Sequence, residues 1–213
     1  MNAADYDAWY DTPRGRWIGE TEFRLLHRML VPALGETVLD VGCGTGWFTA
    51  HLAQMPGLSV TGLDPNITWL VFARERDGKS TYLAGNACTL PFADKHFDRV
   101  LSVTALCFIP GWTSALAEIV RVTRKRFAIG LLNRTSLLWH DKGRHGGEGA
   151  YRGAHWHTAK ELRLALNRMP VKNIRCRTAI FIPSASRIAI MTERALPNRL
   201  PFGGFLLVTG DVN

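Results

Sequence analysis

Short, nearly continuous apolar runs alternate along the chain with longer stretches in which apolar positions recur every three or four residues. The first pattern marks strands buried on both faces, the second amphipathic helices. After a polar, aromatic N-terminal arm, the spacing predicts a helix over 18–34, ended by Pro32 and Gly35. A strand over 37–41, a helix over 45–54 and a second strand over 59–63 ending at Asp64 follow. Pro65 suits the first turn of a helix running to Arg76. Strands are predicted over 81–84, 97–103 and 127–133, with a helix over 113–123 before the last. Residues 134–157 are rich in Gly, His, Arg and aromatics and lack a period. Thr158-Ala159-Lys160-Glu161 then reads as a capping box opening a helix to Arg168. Strands over 171–182 and 204–212 flank a short helix over 184–196. Strand–helix alternation of this kind predicts an α/β fold with a parallel sheet covered on both faces.

The length of 213 residues fits one domain with a substantial core. Residues 1–35 are expected to form an N-terminal cap and 134–157 a substrate-side insertion, since a long aperiodic loop in a compact domain is usually functional or disordered. No run reaches the roughly 18 apolar residues of a membrane span. The acidic, aromatic start is unlike a secretory signal. Cys43, Cys88, Cys107 and Cys176 show no Cys-x-x-Cys spacing and no grouping with histidine for a metal, so no metal and a reduced, cytoplasmic setting are expected. Charge is uneven: residues 1–120 carry 9 Lys/Arg against 13 Asp/Glu, and residues 121–213 carry 17 against 5. Such a balance suits an acidic substrate, a nucleic acid or an anionic surface, or is simply a solvated basic face. The basic residues are scattered instead of interleaved with stacking aromatics, which argues against nucleic acid.

Candidate chemistry concentrates at the predicted strand ends. The first strand runs into Gly42-Cys43-Gly44-Thr45-Gly46, followed by a helix. Glycines let a ligand approach the backbone, and a helix N-terminus offers unpaired N–H groups. The spacing is Gly-x-Gly-x-Gly, not the Gly-x-Gly-x-x-Gly of dinucleotide enzymes, and a tight turn without a ligand is the plain alternative. Asp40, Asp64 and Asn86 sit at or just past the ends of three successive strands, where ligands of open α/β sheets bind. Asp64 lies 18 positions after Gly46, close to the offset of a ribose-binding carboxylate. Its alternative role is that of a helix-start carboxylate.

Taken together, Val38-Leu39-Asp40-Val41-Gly42-Cys43-Gly44-Thr45-Gly46, Gly62-Leu63-Asp64-Pro65-Asn66, Gly85-Asn86-Ala87-Cys88-Thr89-Leu90-Pro91-Phe92 and Phe97-Asp98-Arg99-Val100 resemble the four motifs of class I S-adenosylmethionine-dependent methyltransferases. The resemblance is to the small-molecule, methyltransferase type 11 branch that includes ubiquinone and menaquinone biosynthesis enzymes. It covers roughly residues 37–132. It implies a Rossmann-like seven-stranded mixed sheet with helices on both faces and the last strand antiparallel. It also implies S-adenosyl-L-methionine as cofactor: Gly42, Gly44 and Gly46 facing its methionine part, Asp40 holding the amino group, and Asp64 the ribose hydroxyls. By the same resemblance Pro65, Asn66, Asn86 and Ala87 border the adenine, and Ser102 and Val103 offer carbonyls to the amino group. The family usually carries Asp at position 86; Asn86 still accepts from the adenine amino group and can donate to a ring nitrogen.

The resemblance extends to the substrate side. Asn133-Arg134-Thr135-Ser136, the segment Tyr151–Thr158 and the N-terminal stretch 6–15 resemble pieces that wall the acceptor pocket, which gives Tyr10, Trp17, Asn133, Arg134, Tyr151 and Trp156 as candidate lining. The aromatic set Tyr10, Trp17, Trp139 and Trp156 suits a sulfonium-facing wall or ordinary core filling. His155 and His157 are the candidate bases, because imidazole titrates near neutral pH; as surface histidines flanking Trp156 they would have no such role. The expected function is methyl transfer to a small-molecule acceptor by in-line displacement. An RNA or protein methyltransferase and a non-catalytic S-adenosylmethionine-binding protein are the alternatives.

Overall fold

The computed structural model describes residues 2–213. Its strands are β1 (Thr37–Val41), β2 (Ser59–Asp64), β3 (Thr81–Ala84), β4 (Phe97–Val103), β5 (Thr123–Leu132), β6 (Val171–Ala179) and β7 (Phe205–Val212). The helices are α1 (Ala3–Asp11), α2 (Pro13–Leu30), α3 (Trp47–Ala53), α4 (Ile67–Arg76), α5 (Trp112–Val122), α6 (Ala159–Leu166) and α7 (Arg187–Ala195). One sheet runs β3-β2-β1-β4-β5-β7-β6. All pairings up to β4–β5 are parallel, while β7 runs antiparallel to both β5 and β6. This is the seven-stranded mixed sheet expected from the sequence.

Alternation of side chains along each strand builds two cores. Leu39 and Val41 of β1 and Phe127, Ile129 and Leu131 of β5 pack with Leu116 and Ile119 of α5 and Leu162 of α6. Val38 of β1 and Leu101 of β4 face the other way, onto Leu26 and Leu30 of α2 and Leu52 of α3. The order of connection reverses between β1 and β4, which opens a crevice at their carboxyl ends where open α/β sheets hold ligands.

Several boundaries differ from the sequence reading. The arm is helical: α1 is capped by the Asn2 side chain on Asp5 N, and α2 begins at Pro13, with Thr12 as N-cap, not at residue 18. It ends at Leu30 because Val31 turns left-handed (φ 51) ahead of Pro32. Pro65 lies outside α4, whose N-cap is Asn66. Strand β5 starts four residues before the expected 127, since its charged start finds partners: Lys125 pairs with Glu36 at 2.9 Å and Arg126 with Asp211 at 2.6 Å. Part of the basic excess is thus spent in ion pairs at the sheet's lower edge. Strand β6 stops at Ala179, where Ile180 takes a positive φ of 64. The loop 134–157 contains short tight turns at Trp139–Gly143, Arg144–Gly146 and Gly149–Tyr151.

The predicted capping box is present at α6, with Glu161 N donating to Thr158 Oγ1 at 3.2 Å and Thr158 N to the Glu161 carboxylate at 3.4 Å. Thr158→Ala is expected to lower stability by about 1 kcal/mol, measured by urea unfolding.

Candidate active site

The glycine turn after β1 is shaped by hydrogen bonds to β2. Gly42 N and Cys43 N both donate to the Leu63 carbonyl, at 2.7 and 3.1 Å. Gly44 N donates to Asp64 Oδ2 at 2.9 Å, and Asp64 Oδ1 accepts from Asn66 N at 2.9 Å. Gly42 has a φ of 74, and a Cβ there would sit 2.3 Å from that of Ala105, so only glycine fits. Gly46 also needs a positive φ (77) and packs under Tyr82 and Ala73. The turn therefore holds Asp64 by one carboxylate oxygen, while Asn66 N holds the other. Each of those oxygens keeps a lone pair.

Asp40 lies deeper, 2 % exposed, with Oδ2 accepting from Thr49 Oγ1 at 2.7 Å. Oδ1 has no hydrogen-bond partner among the described residues. Burial pushes its carboxyl up to about 7, against the Thr49 hydrogen bond and with help from the charge of Asp64. A buried carboxyl with one free oxygen is a receptor for a cation, which would restore its ionised form.

Asp40, Asp64, the turn and Pro65 line a cavity of about 520 Å³, together with Asn86, Ala87, Val103 and Ala105. Helix α1 forms one wall. Tyr6 stacks on Trp69 of α4 (5.0 Å between ring centres) and Tyr10 on Trp47 of α3 (4.7 Å). Asp7 fastens the helix, accepting from Thr45 Oγ1 of the glycine turn at 3.1 Å and pairing with Arg76. A second cavity of about 550 Å³ adjoins the first, and Tyr6, Tyr10, Val103, Thr104 and Phe108 border both. Its far walls come from α2 and the loop 134–157, including Arg14, Ile18, Glu22, Lys142 and Tyr151. Glu22 is partly buried, takes part in no ion pair or hydrogen bond among the described residues, and burial pushes its carboxyl up to about 8.

Comparison with known proteins agrees with this geometry. Residues 39–127 match the family described as "Methyltransferase domain". The chain is 39% identical over 171 residues to an uncharacterized protein of Mycobacterium tuberculosis (strain ATCC 25618 / H37Rv), covering 76% of this chain and 55% of that protein. It is 39% identical over 114 residues to malonyl-[acyl-carrier protein] O-methyltransferase of Erwinia pyrifoliae, covering 50% of this chain and 43% of that one. The chain thus spans about half the length of the curated relatives it matches. Its fold is shared with a structure from Thermotoga maritima described as a SAM-dependent methyltransferase, possible histamine N-methyltransferase, at a TM-score of 0.80 and 23% identity over 98% of this chain and 94% of that one. It is shared also with magnesium protoporphyrin IX methyltransferase from Synechocystis PCC 6803, at a TM-score of 0.62 and 17% identity over 84% and 75%. Over residues 39–127, then, the chain matches a methyltransferase domain, set on the fold these structures share.

Within that domain the structure brings Asp40, Gly42, Gly44, Asp64, Pro65, Asn86, Ala87 and Val103 to the first cavity. Asn66 caps α4, and Gly46 and the fully buried Ser102 lie beneath the wall, Ser102 donating to the Val41 carbonyl at 2.8 Å. On the acceptor side, Tyr10 and Tyr151 line the second cavity; Trp17, Asn133, Arg134 and Trp156 do not. Asn133 instead ties the carbonyls of Pro201 and Gly203, both at 2.7 Å, and Arg134 lies against Trp139. Trp156 is buried in the core behind Tyr151, and Trp17 is packed against the core around α2.

His155 and His157 border neither cavity. His155 N is drawn to the Cys107 carbonyl at 2.7 Å, and His155 Nε2 meets the Glu161 carboxylate at 2.9 Å. His157 is fully buried, and burial, with the neighbouring His155, holds its pKa down at about 4. These two imidazoles and Glu161 place ligand atoms within 4.8 Å of one another, a set that could hold a metal ion where the sequence reading expected none. Glu161 already serves the α6 cap, which gives the cluster a local role.

Sequence reasoning missed Trp69, Ala105, Phe108 and Glu22, and reached Tyr6 only as part of the stretch 6–15. The pair Thr12-Pro13, a cap followed by an N1 proline, was the available signal that α2 starts early and carries Glu22 along the cavity.

Proposed function

We propose that this protein binds S-adenosyl-L-methionine in the first cavity and transfers its methyl group to a small-molecule acceptor in the second. The observation that carries the reading is the pairing of a free Asp40 oxygen with the Asp64-rimmed glycine turn in one cavity. The first suits an ammonium, the second a vicinal diol. Asp40 would hold the methionine amino group, Asp64 the ribose hydroxyls, and Asn86 and Ala87 the adenine edge. Asn86 Oδ1 accepts from Cys88 N at 2.9 Å, which leaves its amide N–H₂ free to donate to a ring nitrogen. The cofactor supplies a methyl group already activated by a sulfonium. The protein's part is to orient the acceptor and to exclude water, and orientation alone is worth several kcal/mol. Helix α1, with Tyr6 and Tyr10 at the junction of the two cavities, supplies both.

Calorimetric titration is expected to show micromolar binding of S-adenosylhomocysteine and none of NAD, followed by transfer of radiolabelled methyl to a member of a small-molecule panel. Binding of NAD in preference to S-adenosylhomocysteine would overturn the reading.

A further inference from the structure

Helix α2 presents Arg14, Ile18 and Glu22 to the second cavity, one turn apart on a single face, and they span roughly 12 Å. Arg14 is exposed at the mouth, Ile18 is buried, and Glu22 is partly buried. Glu22 is an acid on a cavity wall with no cation paired to it, whereas Lys142 on the opposite wall is already engaged by Glu148 at 3.1 Å. The same cavity is lined by the aromatic side chains of Tyr6, Trp9, Tyr10 and Phe108. The charge of Glu22 raises the pKa of Tyr6, Tyr10 and Tyr151, after burial, so all three phenols lie within its field. Two of them, Tyr6 and Tyr10, also border the first cavity. The carboxyl therefore belongs to the second cavity, whose wall shares Tyr6 and Tyr10 with the first.

From this we propose that Glu22 is the acceptor-binding carboxylate and that the acceptor is a protonated amine on an apolar body. A carboxylate among aromatic rings favours an organic cation twice over, by ion pairing and by attraction to ring faces. It also removes the proton that blocks reaction. An N–H proton of the ammonium passes to a Glu22 oxygen, and the freed lone pair forms the bond to the methyl carbon. The carbon–sulfur bond breaks with its electron pair left on sulfur. The products are the N-methylammonium, a neutral thioether and protonated Glu22, which returns its proton to solvent. Burial lifts the Glu22 carboxyl to about 8, a basicity suited to taking a proton from an ammonium.

This inference rests on the proposed cofactor site, and the test separates the two. Calorimetry of the protein saturated with S-adenosylhomocysteine is run with 2-phenylethylamine, 2-phenylethanol and 3-phenylpropionate. The amine is expected to bind at least tenfold tighter than either analogue. Its affinity is expected to rise severalfold from pH 7 to pH 9 as Glu22 ionises, while that of the alcohol stays flat. The other groups facing the cavity are Asp5, Tyr6 and Tyr10 from α1, Arg14 from α2, and Lys142, Glu148 and Tyr151 from the loop. The three phenols are pushed above their ordinary range and do not ionise over this interval. Glu22→Gln is expected to abolish both the preference and the pH dependence, with S-adenosylhomocysteine affinity within twofold of wild type. Equal binding of amine and alcohol, binding of none of the three, or a preference that survives in the variant overturns the amine assignment. Should Glu22→Gln fail to fold, the amine–alcohol difference in pH profile of the wild type decides. Loss of S-adenosylhomocysteine binding by the wild type overturns the cofactor reading instead.

Discussion

Asp64→Ala is expected to weaken S-adenosylhomocysteine binding about a hundredfold while leaving the protein folded. The carboxylate stands at the cavity rim with two jobs. It holds the glycine turn through Gly44 N at 2.9 Å and Asn66 N at 2.9 Å, and its remaining lone pairs are those proposed above for the ribose hydroxyls. A hydrogen bond to a charged acceptor is worth about 1.5–3 kcal/mol, and on the proposed ribose role alanine removes two such bonds, for which a hundredfold loss is the low end. Loosening of the turn adds to the loss, because Gly44 N–H is left without its acceptor. Asp64→Asn separates the two effects. It preserves size and one acceptor oxygen but turns an N–H₂ toward either Gly44 N–H or Asn66 N–H, so about a tenfold loss is expected. Calorimetric titration of both variants, with circular dichroism to confirm the fold, measures this. Wild-type affinity in Asp64→Ala would remove the residue from the ribose position.

The sheet was legible because its central strands are buried on both faces and read as unbroken apolar runs. Leu39, Val41, Val100 and Leu101 are all fully buried. The start of β5 was not, since Arg124-Lys125-Arg126 looks like a loop until Glu36, Asp98 and Asp211 are seen to pair with it from distant parts of the chain. For the same reason α1 escaped detection. Its residues carry no apolar period, and its placement depends on Asp7, a buried acid whose partners Thr45 and Arg76 are far away in sequence.

The cofactor side of the site was readable because its chemistry is compressed into the turn after β1 and the ends of β2 and β4. The acceptor side was not, because it is assembled from α1, α2 and the loop 134–157, each reached through tertiary packing alone. A glutamate in an amphipathic helix reads as solvent-facing, which hid Glu22. The histidines flanking Trp156 read as candidate bases, but the bridge between Asn133 and His157 and the bond from His155 N to Cys107 pin that stretch beside α5 and α6, away from both cavities.

Asp40→Asn is expected to make the protein more stable and a poorer binder. In the folded protein the Asp40 carboxyl titrates at about 7, well above the ordinary aspartate value of 3.8, chiefly because it is buried. The folded state therefore keeps this proton to a higher pH than the unfolded chain does. Its contribution to stability is intact below about pH 4, falls as the pH rises from there to 7, and stays at its minimum above 7. The difference between the two values corresponds to about 4 kcal/mol at full ionisation. Asparagine does not ionise, keeps the volume, and can still accept from Thr49 Oγ1 through its own oxygen. Its advantage in unfolding free energy should be small at pH 4 and approach about 4 kcal/mol at pH 8, measured by urea unfolding at both. Binding moves the other way. A ligand ammonium on Oδ1 stabilises the ionised carboxyl, so wild-type affinity for S-adenosylhomocysteine should rise from pH 6 to pH 8. The variant should bind about a hundredfold more weakly and without that dependence. On the proposed function, a buried acid that costs the free protein stability regains its charge when the cofactor's ammonium arrives. An Asp40→Asn protein that bound S-adenosylhomocysteine like wild type would show that the strain at position 40 serves some other ligand.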